Sequence, residues 1–138
     1  MAVKPIIVVN DRLLNALSWS FPIAGILLFP WIILRKEIKQ HERYEVLIRH
    51  ETIHFKQAQE LFVVGFYVCY VLNWCVNIIR YKSLDIAYSH ILFEKEAYAN
   101  EHDDSYLDRR KLFSFMAYIG QSSKAPISKP KSKSSVSK

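Results

Sequence analysis

The sequence predicts an α+β fold, mainly α, with a short N-terminal β element, an amphipathic helix at mid-chain and a long apolar helix after it. Three observations carry the prediction. Residues 16–34 form an uncharged run interrupted by Pro22, Gly25 and Pro30, a pattern that suits strand and turn better than one helix. From about Tyr44 to Glu60, apolar residues recur at i, i+3 and i+4 among charged ones, the signature of a half-buried helix. Residues 61–79 then hold no formal charge at all.

Taken in order, residues 25–34 are dense in Ile, Leu and aromatics and read as a hairpin packed beside the mid-chain helix. A loop rich in Lys and Glu follows, then the helix from about Tyr44. The apolar helix 61–79 is bounded by Glu60 on one side and by Arg80 and Lys82 on the other, and at nineteen residues it is long enough to reach across a bilayer. A turn at 81–83 leads into an acidic helix from about Leu84. A last amphipathic segment, 106–118, sets Leu107, Leu112, Phe113, Phe115 and Met116 against Arg109, Arg110 and Lys111. With 138 residues there is room for one domain, 1–120, and the core must double as the functional site. Residues 121–138 are almost wholly Ser, Lys and Pro, a composition that cannot bury a core and is expected to be disordered. Cys69 and Cys75 lack CxxC spacing and, as an i, i+6 pair, do not suit a disulfide within a helix. They are expected to be reduced core residues.

The chemistry concentrates in His50-Glu51-Thr52-Ile53-His54. Two imidazoles four residues apart on a helix point the same way and can share one metal ion, while the glutamate after the first sits where it can take a proton from water. This is the HExxH signature of the zincins. His50 and His54 share a stripe with Leu47, Ala58 and Leu61, and Glu51 lies beside Ile48, Phe55 and Phe62, whereas Arg49, Lys56 and Gln59 point elsewhere. A partly buried site is what a catalytic zinc requires.

Such a zinc takes three protein ligands and leaves a fourth position open. The extension HExxHxxGxxH is absent: Gln57 stands at the glycine position and Glu60 at the last histidine's. What does follow, some 40 residues on, is Phe93-Glu94-Lys95-Glu96-Ala97-Tyr98-Ala99-Asn100-Glu101. HExxHxxQ followed by ExEAY resembles small, membrane-associated gluzincin peptidases, whose second motif often reads ExxA and then an acidic residue. The resemblance covers about residues 44–103. It implies Zn²⁺ held by His50, His54 and Glu94, with Glu51 as catalytic base, a peptide or protein substrate, and hydrolysis of a peptide bond. Tyr98 stands where the family commonly has an acidic residue bracing a zinc histidine. The shifted register Glu96-Ala97-Tyr98-Ala99-Asn100 fits the same template, with Asn100 as brace. Glu94 and Glu96 point about 200° apart on a helix, so only one can face the metal. Glu94 shares its stripe with Ala87, Ile91, Ala97 and Tyr98; Glu96 remains the alternative. His102, Tyr98 and Tyr106 are the candidate donors to a developing oxyanion.

The two ligand segments lie on opposite sides of the apolar run. As one helix the run would carry the chain about 28 Å away, with some fourteen residues left to bring Glu94 back. The site forms only if that helix breaks, near Gly65 for example, or if the return is partly extended. Asn73 and Asn77 within the run favour a folded-back placement, since they are costly facing lipid. The opposed expectation is a non-enzymatic helical membrane protein with both apolar runs spanning; a catalytically silent zinc-binding relative is a third.

The net charge of +6 belongs mostly to the tail, which carries five lysines and no acid; the rest of the chain has 14 basic against 13 acidic residues. A lysine tail can hold a protein to anionic lipid. Nucleic acid is discounted as a partner, because no basic stripe with interleaved aromatics appears. The N-terminus has an apolar core of about five residues followed by Asp11 and Arg12, which does not make a secretory signal. The expected location is the cytoplasm or the cytoplasmic face of a membrane.

Overall fold

A computed structural model describes residues 3–18 and 23–125. The chain is mainly helical with one small sheet. Strand β1 (Ile6–Val9) leads into helix α1 (Asp11–Leu17), and a hairpin follows, β2 (Gly25–Leu28) and β3 (Trp31–Leu34). After a 3₁₀ turn at Lys36–Gln40 come α2 (Tyr44–Glu60), α3 (Val64–Tyr81), α4 (Leu84–Ser89), α5 (Leu92–Asn100) and α6 (Tyr106–Arg109), and a second 3₁₀ turn at Ser114–Tyr118. The sheet order is β1-β3-β2, with β3 antiparallel to β2 and parallel to β1.

The hairpin lies where the Pro and Gly pattern places it. Helix α1 was not expected; it forms because the Asn10 side chain caps it, accepting from the Leu13 N–H at 3.0 Å, and Leu14 buries completely beneath it. The core joins β2 and β3 to α2, α3 and α5 through Leu27, Ile32, Leu34, Phe55, Phe66, Ile91 and Phe93. Phe55 is fully buried and stacks on Phe29 at 4.9 Å. Gly25 lets β2 approach α2: a Cβ there would stand 2.8 Å from a Leu34 methyl and 3.2 Å from one of Leu47.

The apolar run 61–79 is not one continuous helix from its first residue. Helix α2 ends at Glu60, and α3 leaves it at 112°. The break precedes Gly65. It is a Schellman motif, in which the Val63 N–H reaches the Ala58 carbonyl at 2.7 Å and the Phe62 N–H the Gln59 carbonyl at 3.4 Å, with Phe62 in the left-handed region at φ 57°. Val63, at φ 64° and ψ −65°, then closes a γ-turn from the Val64 N–H to the Phe62 carbonyl. Among the described residues no single helix is long and apolar enough to cross a membrane. Helices α4 and α5 pack back along α3, and its two asparagines hold them there. Asn77 donates to the Ala87 carbonyl at 3.1 Å, and Asn73 accepts from the Leu92 N–H at 2.8 Å.

Three expectations are corrected. The acidic helix from Leu84 is two helices, α4 and α5, broken at His90 and Ile91. The segment 106–118 is not one helix but α6 and a 3₁₀ turn, with only Phe115 of its large apolar residues from 112 onward buried. Cys69 and Cys75 are free but exposed on the outer face of α3, not in the core. The expected tail begins inside the description and continues outside it, from residue 126 on.

Candidate metal centre

Helix α2 presents His50, Glu51 and His54 inward on adjoining stripes, and all three are buried. Helix α5 brings Glu94 to them from across the core, where it is 2% exposed. The Nε2 atoms of His50 and His54 stand 3.2 Å apart; Glu94 Oε2 lies 3.0 Å from the first and Oε1 3.1 Å from the second. Four ligands on a tetrahedron at zinc–nitrogen and zinc–oxygen distances would stand about 3.3 Å apart. The two nitrogens have that spacing and each has one oxygen of the Glu94 carboxylate beside it, so the three side chains form a buried cluster, with ligand atoms within 4.8 Å of one another, able to hold a metal ion.

The charges agree with that reading. Glu51, Glu94 and Glu101 are three buried carboxylates gathered on two imidazoles, and buried carboxylates are costly without a compensating cation. In the metal-free protein the His50 imidazole supplies it. Burial disfavours a charged His50, but its hydrogen bonds to Glu101 and Glu94 outweigh that and push it up to about 10. His54 is raised too, its burial outweighed by Glu94. Glu94 is held well below the usual carboxylate range, its burial outweighed by His54 and His50. Glu51 moves the other way: burial raises it, and the two imidazoles and a hydrogen bond from the Leu27 backbone offset this only in part.

Both imidazoles are braced from behind. His50 Nδ1 meets Glu101 Oε2 at 2.7 Å, and His54 Nδ1 meets Gln57 Oε1 at 2.8 Å. Such partners fix the tautomer and aim the other nitrogen at the shared point. Gln57 is itself held, donating to Glu96 at 2.8 Å and to the Phe93 carbonyl. Glu96, the alternative ligand, thus lies on the far side of α5. It is fully buried, accepting from Tyr106 at 2.8 Å and pairing with Arg110, which also pairs with Glu60. Arg110, expected on a polar face, is instead enclosed. Of the candidate oxyanion donors, Tyr98 packs its ring against His50 at 4.6 Å, Tyr106 is spent on Glu96, and His102 is exposed beside Glu101. Asn100 donates to the Glu96 carbonyl and to Tyr118, and braces neither histidine.

Sequence reasoning missed Tyr70, whose hydroxyl donates to Glu94 Oε1 at 2.7 Å, and the bracing role of Glu101. Glu101 follows Glu94 by seven residues, two helical turns, so it was findable from the same stripe. Tyr70 carried no local signal, because it is one of several aromatic residues spread along the apolar α3.

Two cavities of about 300 and 320 Å³ flank Glu51. The first is walled by apolar and aromatic side chains of β2 and α3, among them Leu28, Phe66 and Trp74, and reaches His54 and Glu94. The second is more polar and reaches His50, Arg43 and Glu101. Strand β2, an edge of the sheet, runs past both. Comparison with protein-family models, with curated proteins and with solved structures gives no match.

Proposed function

We propose that this chain is a zinc-dependent peptidase of the gluzincin type, with His50, His54 and Glu94 as metal ligands and Glu51 as general base. The observation that carries the reading is the convergence of His50, His54 and Glu94 on one buried point, their ligand atoms within 4.8 Å of one another and each histidine braced at its other nitrogen. A structural zinc would close its fourth position with a fourth side chain. Here the described residues offer three ligands with cavities beside them.

Zinc, when bound, would supply Lewis acidity to a substrate carbonyl and lower the pKa of water at the site. The rest falls to the chain. Glu51 lines both cavities and its carboxylate is oriented by the Leu27 N–H, so it can take a proton from the attacking water and return it to the leaving amine nitrogen. Edge strand β2 suits an extended peptide. The Arg35 N–H donates to the Ala24 carbonyl at 3.1 Å, which by strand alternation turns the N–H and carbonyl of Gly25 outward along the cavities. Further along, Tyr67 bonds the Leu27 carbonyl and the Phe29 N–H, so that end of the edge is closed. The aromatic first cavity would favour a bulky apolar side chain next to the scissile bond.

The test is zinc content by elemental analysis together with hydrolysis of a quenched-fluorescent peptide library. Glu51→Gln is expected to retain one zinc per chain and lose activity by about 10²- to 10⁴-fold, whereas His54→Ala loses both. Full activity in Glu51→Gln would remove the proposed base.

A further inference from the structure

Helix α3 carries no charge before Arg80 and keeps its asparagines on one side, yet only that side is covered. Its inner arc, Phe66, Tyr70, Asn73 and Asn77, faces α2, α4 and α5. Its outer arc is Val64, Val68, Cys69, Val71, Leu72, Cys75, Val76 and Ile79, exposed by 51–78% where the values are given, with Phe62 at 90% just before it. No residue of that arc is polar or charged until Arg80. An apolar face this wide and continuous belongs against a protein surface or in a lipid phase.

The face continues beyond the helix. Phe113, Met116 and Ile119, exposed by 47%, 54% and 62%, share one groove with Cys69 and Arg80. Basic residues border this surface, Arg80 and Lys82 at the end of α3 and Lys111 beside the second patch, and the sequence of residues 121–138 holds five lysines and no acid. An apolar centre with a basic border matches the interface of an anionic leaflet, whose headgroups meet the bases while its acyl chains meet Val, Leu and Ile.

We infer that the outer face of α3, with Phe62 and the 113–119 patch, docks in the plane of an anionic phospholipid bilayer. The helix lies along the membrane and does not cross it: a single crossing would part His54 from Glu94, which are 3.1 Å apart. The inner face of the same helix walls the aromatic cavity, so docking sets that cavity immediately above the lipid.

The experiment uses the full chain, metal-free and zinc-loaded, so that it stands apart from the peptidase reading. With Cys69→Ser, an environment-sensitive fluorophore is attached at Cys75 and vesicles of phosphatidylcholine with about a third phosphatidylglycerol are added. The emission is expected to shift to the blue, and the shift to persist in 0.5 M salt, where the lysine contribution is screened. Leu72→Glu and Val76→Glu, both at sites 60% exposed and therefore harmless to folding, are each expected to weaken vesicle partition at least about tenfold. Partition unchanged by both substitutions would overturn the inference and leave the tail as the anchor. A blue shift that needs no vesicles and grows with protein concentration as the mass doubles would assign the face to a second copy and overturn it equally.

Discussion

Glu94→Ala and Glu96→Ala are predicted to fail in different ways, although the residues are two apart on one helix and both buried. Glu94 touches the two histidines and Tyr70. Its loss should cost more metal affinity than the roughly 10- to 100-fold that follows loss of a supporting partner, and the chain should still fold, because the histidines keep Glu101 and Gln57. Glu96 touches no metal-facing atom. It takes hydrogen bonds from Gln57 and Tyr106 and an ion pair from Arg110, whose side chain is 5% exposed. Removing it leaves a buried cation with Glu60 as its remaining acid, and breaking such a pair costs about 3–5 kcal/mol. Urea unfolding of the metal-free proteins reads the second effect, and competition for zinc against a chelating dye reads the first. The expected pattern is lost metal with near-parental stability in Glu94→Ala, and a lower urea midpoint with near-parental affinity per folded chain in Glu96→Ala. The opposite pattern would refute the register assigned to α5.

Three further outcomes follow from the same geometry. Glu101→Gln keeps a hydrogen-bonding group behind His50 but removes its charge, and zinc affinity should fall about 10- to 100-fold while the fold is retained, as chelator competition would show. Because His50 stands near 10 without metal, zinc must displace protons; affinity should rise with pH from 6 to 8 and loading in weak buffer should acidify the solution, as a pH indicator would show. A pH-independent affinity would mean the imidazoles are not ligands. Phe55→Ala empties the fully buried site between β2, β3 and α2 and should cost about 3–5 kcal/mol in a denaturant titration.

The hairpin, α2 and the His50, His54 and Glu94 set were legible because each is a local pattern: punctuation by Pro and Gly, a helical period, a fixed spacing. What depended on distant partners was not. Arg110 reads as one of three consecutive bases on a polar face, and only the fold shows Glu60 and Glu96 arriving from two helices to enclose it. Cys69 and Cys75 sit in an apolar run, and composition cannot say which half of such a helix is covered. Helix α1 was hidden by its seven-residue length and by the strand-like residues before it, though Asn10 is a legible cap. The site required either a break in the apolar run or a partly extended return, but Gly65 drew attention three residues too far, because the turn is made by residues that seldom make one.

That turn yields the last prediction. Phe62 occupies the left-handed position of the Schellman motif at φ 57°, where glycine is the usual residue and a side chain costs about 1–2 kcal/mol. Its ring is 90% exposed, so in water nothing in the fold offsets that cost. Phe62→Gly removes the strain at the expense of greater freedom in the unfolded chain, and a net gain of roughly 0.5–1 kcal/mol is expected in urea unfolding. The bend itself is indispensable, since it returns Glu94 to His54, but a phenyl group at its apex is not. If the ring is there to enter the leaflet, the same substitution that stabilises the protein in water weakens its partition into anionic vesicles. Stabilisation with unchanged partition would separate the bend from the membrane face and leave Phe62 as strain without a function.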